Sequence, residues 1–190
     1  MTTRAVLPVK AFSRAKGRLA AVRTPGERAR LAELMATATL AAVARFDPIV
    51  PCDDPAVARW ATTRGAVAVD APDGLDAAIG AGLVAAAGAD LAAICHADLA
   101  FPDGLTEVLA RGCPCIVADR HADGTNILVI PPGAGFVVSY GPGSFRRHLA
   151  EADRVGIELT VVDHLRLGWD VDDPDDLETP ADWGPPSWER

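Results

Sequence analysis

Aromatic side chains are scarce in this sequence: five Phe, four Trp and one Tyr make up 5% of its residues. A core with so few rings must be filled by Ala, Val, Leu and Ile. Hydrophobic residues reach 49%, which is enough to pack a globule and excludes wholesale disorder. Cysteine is equally thin. Cys52 and Cys95 lie in or beside apolar runs, while Cys113 and Cys115 flank a single Pro; that pattern fits neither a disulfide framework, a zinc knuckle nor a redox CxxC pair. No apolar run approaches the roughly 20 residues of a membrane span. The first residues also lack the apolar core of a signal peptide, so a cytoplasmic location is expected. Lysine occurs only as Lys10 and Lys16, within a net charge of −8 and a sequence pI near 4.9. Such an acidic balance argues against nucleic acid or an anionic membrane as partner.

The length of 190 residues suits one domain spanning 1–190. Its few positive charges are unevenly placed: Arg4, Lys10, Arg14, Lys16, Arg18 and Arg23 crowd the start. In an acidic chain such a cluster points to a small anionic ligand, the other reading being a solvated arm. Short apolar runs at Arg4 to Val9, Pro48 to Cys52, Ala66 to Val69 and Leu91 to Cys95 read as strands. Between them lie helical patterns. One starts at Thr24-Pro25-Gly26-Glu27, with a Thr cap, Pro at the first position and Glu at the third, and runs to about Phe46. Others cover Pro55 to Trp60 and Gly74 to Ala87. This alternation predicts an α/β fold with a mostly parallel, Rossmann-like sheet flanked by helices. Further strands are expected at Cys115 to Ala118, Ile127 to Ile130, Phe136 to Val138 and Ile157 to Val162, with helices at Pro142 to Val155 and Pro174 to Leu177.

Five segments carry the chemistry. Pro8 to Leu19 (PVKAFSRAKGRL) leaves the carboxyl end of the first strand, where ligands bind in doubly wound sheets. Its Lys10, Lys16 and Arg18 suit phosphates, although the P-loop glycines are missing. His96-Ala97-Asp98-Leu99 follows the strand Leu91 to Cys95. There Asp98 reads as a metal carboxylate or as the cap of a helix near Pro102, and His96 receives no role. Asp119 to Asn126 (DRHADGTN) offers N–H groups, a hydroxyl and an amide, or simply a turn. Tyr140 to His148 (YGPGSFRRH) sets glycines before a helix, a ready anion site. In Trp169 to Leu177 (WDVDDPDDL), alternation around Val171 puts Asp170 and Asp172 on one face of an extended piece.

These segments, in this order from Leu7 to Leu177, resemble the guanylyltransferase family of coenzyme F(420) biosynthesis, whose members use 2-phospho-L-lactate or phosphoenolpyruvate. The resemblance implies a fold like that of molybdopterin guanylyltransferases and transfer of GMP from GTP, with pyrophosphate released. It implies Mg²⁺ held by Asp98 and by Asp170 or Asp172, with Asp170 preferred. It sets Lys10, Lys16 and Arg18 on the GTP phosphates, and Gly74 and Asp76 near the nucleotide. Thr125, Gly141 and Ser144 are implied for the phosphorylated acid. The Ala, Gly, Arg and Asp bias looks like that of high-GC actinobacteria, which favours phosphoenolpyruvate as acceptor and a hand-over of the labile product to the next pathway enzyme. The alternatives are 2-phospho-L-lactate, 3-phosphoglycerate or another phosphorylated acceptor such as a sugar phosphate, or a non-catalytic nucleotide-binding protein of the same fold. Two departures keep the last of these in view: Ala100 stands where the family usually has Pro, and Asp76 where Asn is common.

Overall fold

The computed structural model describes residues 1–189. Along the chain come β1 (Thr3–Val6), α1 (Pro25–Ala42), β2 (Ile49–Cys52), α2 (Pro55–Thr62), β3 (Val67–Asp70), α3 (Leu75–Ala85), β4 (Leu91–Cys95), α4 (Leu105–Ala110), β5 (Cys115–Ala118), β6 (Thr125–Ile130), α5 (Ser144–Val155) and β7 (Thr160–Val161). Local chemistry sets the helix starts. The Thr24 hydroxyl accepts the Glu27 N–H at 3.3 Å and Glu27 accepts the Thr24 N–H at 2.8 Å, a closed capping box. Asp54 caps α2 by accepting from Ala56 and Val57 at 2.8 and 3.2 Å.

Seven strands lie in the order β3-β2-β1-β4-β6-β5-β7. Strands β1 to β4 are parallel, whereas β6 runs antiparallel to both β4 and β5. The mostly parallel α/β sheet expected from the sequence is therefore present, with one strand reversed. Successive side chains alternate between its faces. Ala5, Val50, Ala93 and Cys95 meet α1, α2 and α4, while Val6, Ile49, Ala92 and Ile94 meet α3 and α5. Helix α3 lies especially close: a Cβ on Gly82 would sit 2.4 Å from Val6 Cγ1 and 2.8 Å from Pro51 Cγ, so only Gly fits there.

Strands β2 and β3 lie on one side of β1 and β4 on the other. The sequence of strands thus reverses direction at β1. Residues that follow β1, β2, β3 and β4 line a crevice at the carboxyl ends of these strands.

Three expectations are corrected. Phe136 to Val138 is not a strand. Its side chains alternate because Phe136 and Val138 pack on the α5 face of the core while Val137 is exposed. Its backbone bonds to side chains of α5 instead of to a neighbouring strand: Val137 N–H donates to Glu151 and Ser139 N–H to His148. The strand expected at Ile157 to Val162 shrinks to the two-residue β7, whereas the short final helix takes its expected bounds, Pro174–Leu177, as a 3-10 turn. Asp98 caps no helix: a 3-10 turn, Pro102–Gly104, follows Phe101 without a side-chain cap. None of the described helices is long and apolar enough to cross a membrane.

Candidate active site

A cleft of about 790 Å³ occupies the crevice, within the range of small-molecule sites. At the β4 end it is lined by Lys16, Arg18, His96, Asp98, Asp170 and Asp172; toward β2 and β3 it is lined by Arg14, Asp53, Asp73 and a wall of small and apolar residues. Lys10 and Gly74 line it too.

Strand β4 delivers Asp98 to this place, and a short backbone bridge delivers Asp170. Leu99 and Asp170 pair in antiparallel fashion; Val171 N–H donates to Asp98 O at 3.1 Å and Ala100 N–H to Trp169 O at 2.8 Å. The bridge rests on a core of Leu19, Met35, Phe101 and Val171. Trp183 packs edge-on against both Phe101 and Trp169, with centroids 5.3 and 5.6 Å apart. From the other side, Ser187 donates its N–H to Ala100 O at 2.8 Å and its hydroxyl to Leu99 O at 3.0 Å. The backbone carrying Asp98 is therefore clamped by packing and by hydrogen bonds.

Lys16 comes from the loop after β1. That loop is anchored by Phe12, edge-on to Trp60 at 5.3 Å, and by Arg28, which donates to Ala15 O at 3.3 Å. Lys16 itself is left-handed, at φ 55°, a conformation few non-glycine residues adopt. Its side chain is only 6% exposed, and Nζ lies 2.5 Å from Asp98 Oδ2 and 3.6 Å from Asp172 Oδ1. It also donates to Val171 O. Arg18 meets Asp172 at 3.1 Å, an exposed contact of little energetic weight.

The electrostatics of this end are unbalanced. Burial alone would lower the Lys16 pKa, but Asp98, with help from Asp172 and Asp170, holds it above its ordinary value. Burial likewise opposes ionisation of Asp98, and Lys16 reverses that, leaving its pKa depressed. Asp170 has no such partner. Burial and the neighbouring Asp98 charge push it up to about 7, although Asn126 donates to it at 3.2 Å. Asn126, the one asparagine in the chain, also donates to Leu167 O at 3.0 Å and so aims Asp170. His96 lies against the same site with Nδ1 3.9 Å from Asp98 Oδ1, and burial lowers its pKa. From the sequence His96 receives no role, although its position directly after a fully buried strand is a signal for the carboxyl-end crevice.

The structure brings Lys10, Lys16, Arg18, Asp98, Asp170, Asp172 and Gly74 to one cleft. It sets the other expected residues behind or beside it. Thr125 and Ser144 are each 1% exposed, and Thr125 bonds the His148 ring at 3.0 Å and Ser144 at 3.4 Å. His148 Nε2 accepts the Ser139 N–H at 3.0 Å, so its proton resides on Nδ1 and points at Thr125. Gly141 is exposed at φ 100°. The start of α5 is covered by Asp123, whose carboxylate accepts the Gly143 N–H at 2.9 Å and whose carbonyl accepts the Phe145 N–H at 3.0 Å. Asp76, in the first turn of α3, accepts the Tyr140 N–H at 2.9 Å.

Comparison with known proteins identifies the family and the fold. The family described as guanylyl transferase CofC like matches residues 3–179. A phosphoenolpyruvate guanylyltransferase of Sphaerobacter thermophilus is 36% identical over 97% of this chain and 95% of its own. One from Conexibacter woesei is 36% identical over 94% of this chain and 86% of its own. Among solved structures, a nucleotide-diphospho-sugar transferase from Desulfovibrio desulfuricans superposes with a TM-score of 0.76 at 15% identity, covering 100% of this chain and 94% of that one, and so shares the fold. A nucleotide-sized crevice with its acidic pair, on a chain matched along most of its length, makes this protein a nucleotidyltransferase that belongs to the guanylyl transferase CofC-like family.

Proposed function

We propose that this is a cytoplasmic enzyme that transfers GMP from GTP to phosphoenolpyruvate, releasing pyrophosphate and forming enolpyruvyl-diphospho-guanosine for coenzyme F(420) biosynthesis. The observation that carries the reading is the meeting of Lys16, Asp98 and Asp170 at one end of a cleft that extends across β1 toward β2 and β3. The names of the relatives supply the acceptor.

Mg²⁺ fits the donor set. Asp98 and Asp170 offer hard oxygen ligands on adjacent backbone, and Asp170 is a carboxylate that its surroundings keep short of positive charge. Among the described residues no group of three or more His, Cys, Asp or Glu side chains could hold a metal by itself, so phosphate oxygens and water would complete the shell. When bound there, the ion neutralises charge on the α-phosphate and the departing pyrophosphate.

The chain's own groups do the rest. Lys16 leaves Asp98 and turns to the phosphates, where Lys10 and Arg18 join it at the open side of the cleft. Together they lower the repulsion between two anions that must approach each other. The acceptor's phosphate oxygen then attacks the α-phosphorus in line, and no covalent enzyme intermediate forms. On the acceptor side, Thr125, Gly141 and Ser144 frame the phosphorylated acid. Its carboxylate takes over the N–H groups at the start of α5 that Asp123 now holds. Gly74 and Asp76 border the nucleotide.

The test is Mg²⁺-dependent pyrophosphate release with GTP and, in separate reactions, phosphoenolpyruvate, 2-phospho-L-lactate and 3-phosphoglycerate. Release with phosphoenolpyruvate alone is expected; release with none of the three acids would overturn the reading.

A further inference from the structure

The charged end of the cleft accounts for phosphates, yet its other end is equally constructed. There the small and apolar side chains of Pro51, Cys52, Ala71 and Pro72 line the cleft, a surface chemically suited to one face of a ring. Beside that surface stand the guanidinium of Arg14 and the carboxylate of Asp53. Asp53 directly follows β2, two strands from the β4 end that carries Asp98. At strand spacing this is roughly 10 Å, about the reach from the α-phosphate of a nucleotide to the far edge of its base. The Asp53 side chain is 22% exposed and bonds the more open Arg14 through Oδ2.

The outer edge of guanine presents two adjacent donors, N1–H and the 2-amino group. A carboxylate accepts both side by side, in the same fork geometry that pairs guanidinium with carboxylate. Adenine turns an acceptor, N1, toward the same place, and a carboxylate repels it. Hypoxanthine keeps N1–H and lacks the 2-amino group.

We propose that Asp53 is the residue that selects guanine, its carboxylate accepting from N1–H and the 2-amino group while Arg14 fixes its orientation. Asp73 is the other carboxylate at this end, but it sits in the turn before α3 and its Oδ1 is taken by the Gly74 N–H at 3.0 Å. The assignment rests on the guanylyl-transfer reading for the identity of the nucleotide.

The experiment compares GTP with ITP, which differ only in the 2-amino group, for wild type and Asp53→Asn. Equilibrium titrations with Mg²⁺ present give the binding ratio without turnover. One charge-assisted hydrogen bond corresponds to a preference for GTP of about tenfold to a hundredfold in the wild type. Asp53→Asn keeps the shape but turns an amide donor toward donors, so the ratio should fall close to one, with little change in melting temperature. Asp53→Glu, which restores a carboxylate on a longer stem, should recover part of the preference and guards against a folding artefact. An unchanged ratio in Asp53→Asn, or a wild type that binds GTP and ITP equally, would overturn the role of Asp53. A wild type that prefers GTP through Asp53 but transfers GMP to no phosphorylated acid would leave this role standing and remove the transfer reading. Failure to bind any guanine nucleotide would remove both.

Discussion

Two buried polar clusters lie on either side of β4, and they are built in opposite ways. At the Lys16–Asp98–Asp170 end, one buried ammonium serves two partly buried carboxylates, so a charge deficit persists and Asp170 is pushed up to about 7. At the Thr125–Ser144–His148 end, the groups are neutral and donor meets acceptor in a closed chain. The first cluster leaves one of its carboxylates without a cation. The second behaves like a polar rivet, holding the loop before α5 in one shape. The contrast shows how a single sheet can hold an unbalanced charged cluster and a neutral frame within a few strands of each other.

Breaking the first cluster should have the larger consequences. Asp98→Ala should reduce pyrophosphate release by roughly 10³-fold or more while leaving circular dichroism intact; a folded variant that keeps wild-type release would end the metal role. Lys16→Met leaves the partly buried Asp98 carboxylate without its cation, which should lower unfolding stability by about 1–3 kcal/mol. Added Mn²⁺ should then raise the melting temperature of this variant more than that of the wild type, and equal shifts would mean that Lys16 does not stand where a cation binds.

The second cluster should respond to acid. Burial, reinforced by Arg147, pulls the His148 pKa down to about 4 from its ordinary 6.5. The unfolded chain therefore binds the extra proton first. The stabilisation from keeping His148 neutral is complete above pH 6.5 and drains away as pH falls toward 4, an effect of at most about 3 kcal/mol. Asp170, pushed up to about 7, takes up its proton in the folded state over the same window and acts in the opposite sense. Urea unfolding from pH 7 to 4 should therefore show the His148 slope as the difference between wild type and His148→Gln. Smallest of all, Ser144→Ala removes a 3.4 Å hydrogen bond. A stability loss of about 1 kcal/mol or less is expected, with a several-fold weaker acceptor KM and little change in kcat. An unchanged KM would take Ser144 out of the acceptor site.

Much of this molecule is legible in its sequence where the signal is local. Leu91 to Cys95 and Cys115 to Ala118 read as strands with the bounds they take, because a short apolar run between turns has few other uses. The Thr24 capping box likewise needs only four residues. What the sequence hides is pairing at a distance. Nothing local tells that β6 runs backwards between β4 and β5. In the same way, Phe136 to Val138 carries strand-like alternation, but its hydrogen-bond partners are Glu151 and His148 on a helix. In the site, the acidic and basic residues are visible as types, but the bond between Lys16 and Asp98 joins residues 82 apart. Asn126 is legible as an amide that could meet a ligand or as part of a turn; its contact with Asp170 depends on a segment 44 residues further on.

The bond between Asp76 and the Tyr140 backbone joins two parts of the chain that lie far apart in sequence. Asp76 sits in the first turn of α3, just after Gly74 at the rim of the cleft, and Tyr140 opens the loop leading into α5. One carboxylate thus ties the rim of the cleft to the segment that the neutral cluster holds, so the floor beside β3 and the frame beside β6 keep a fixed relation.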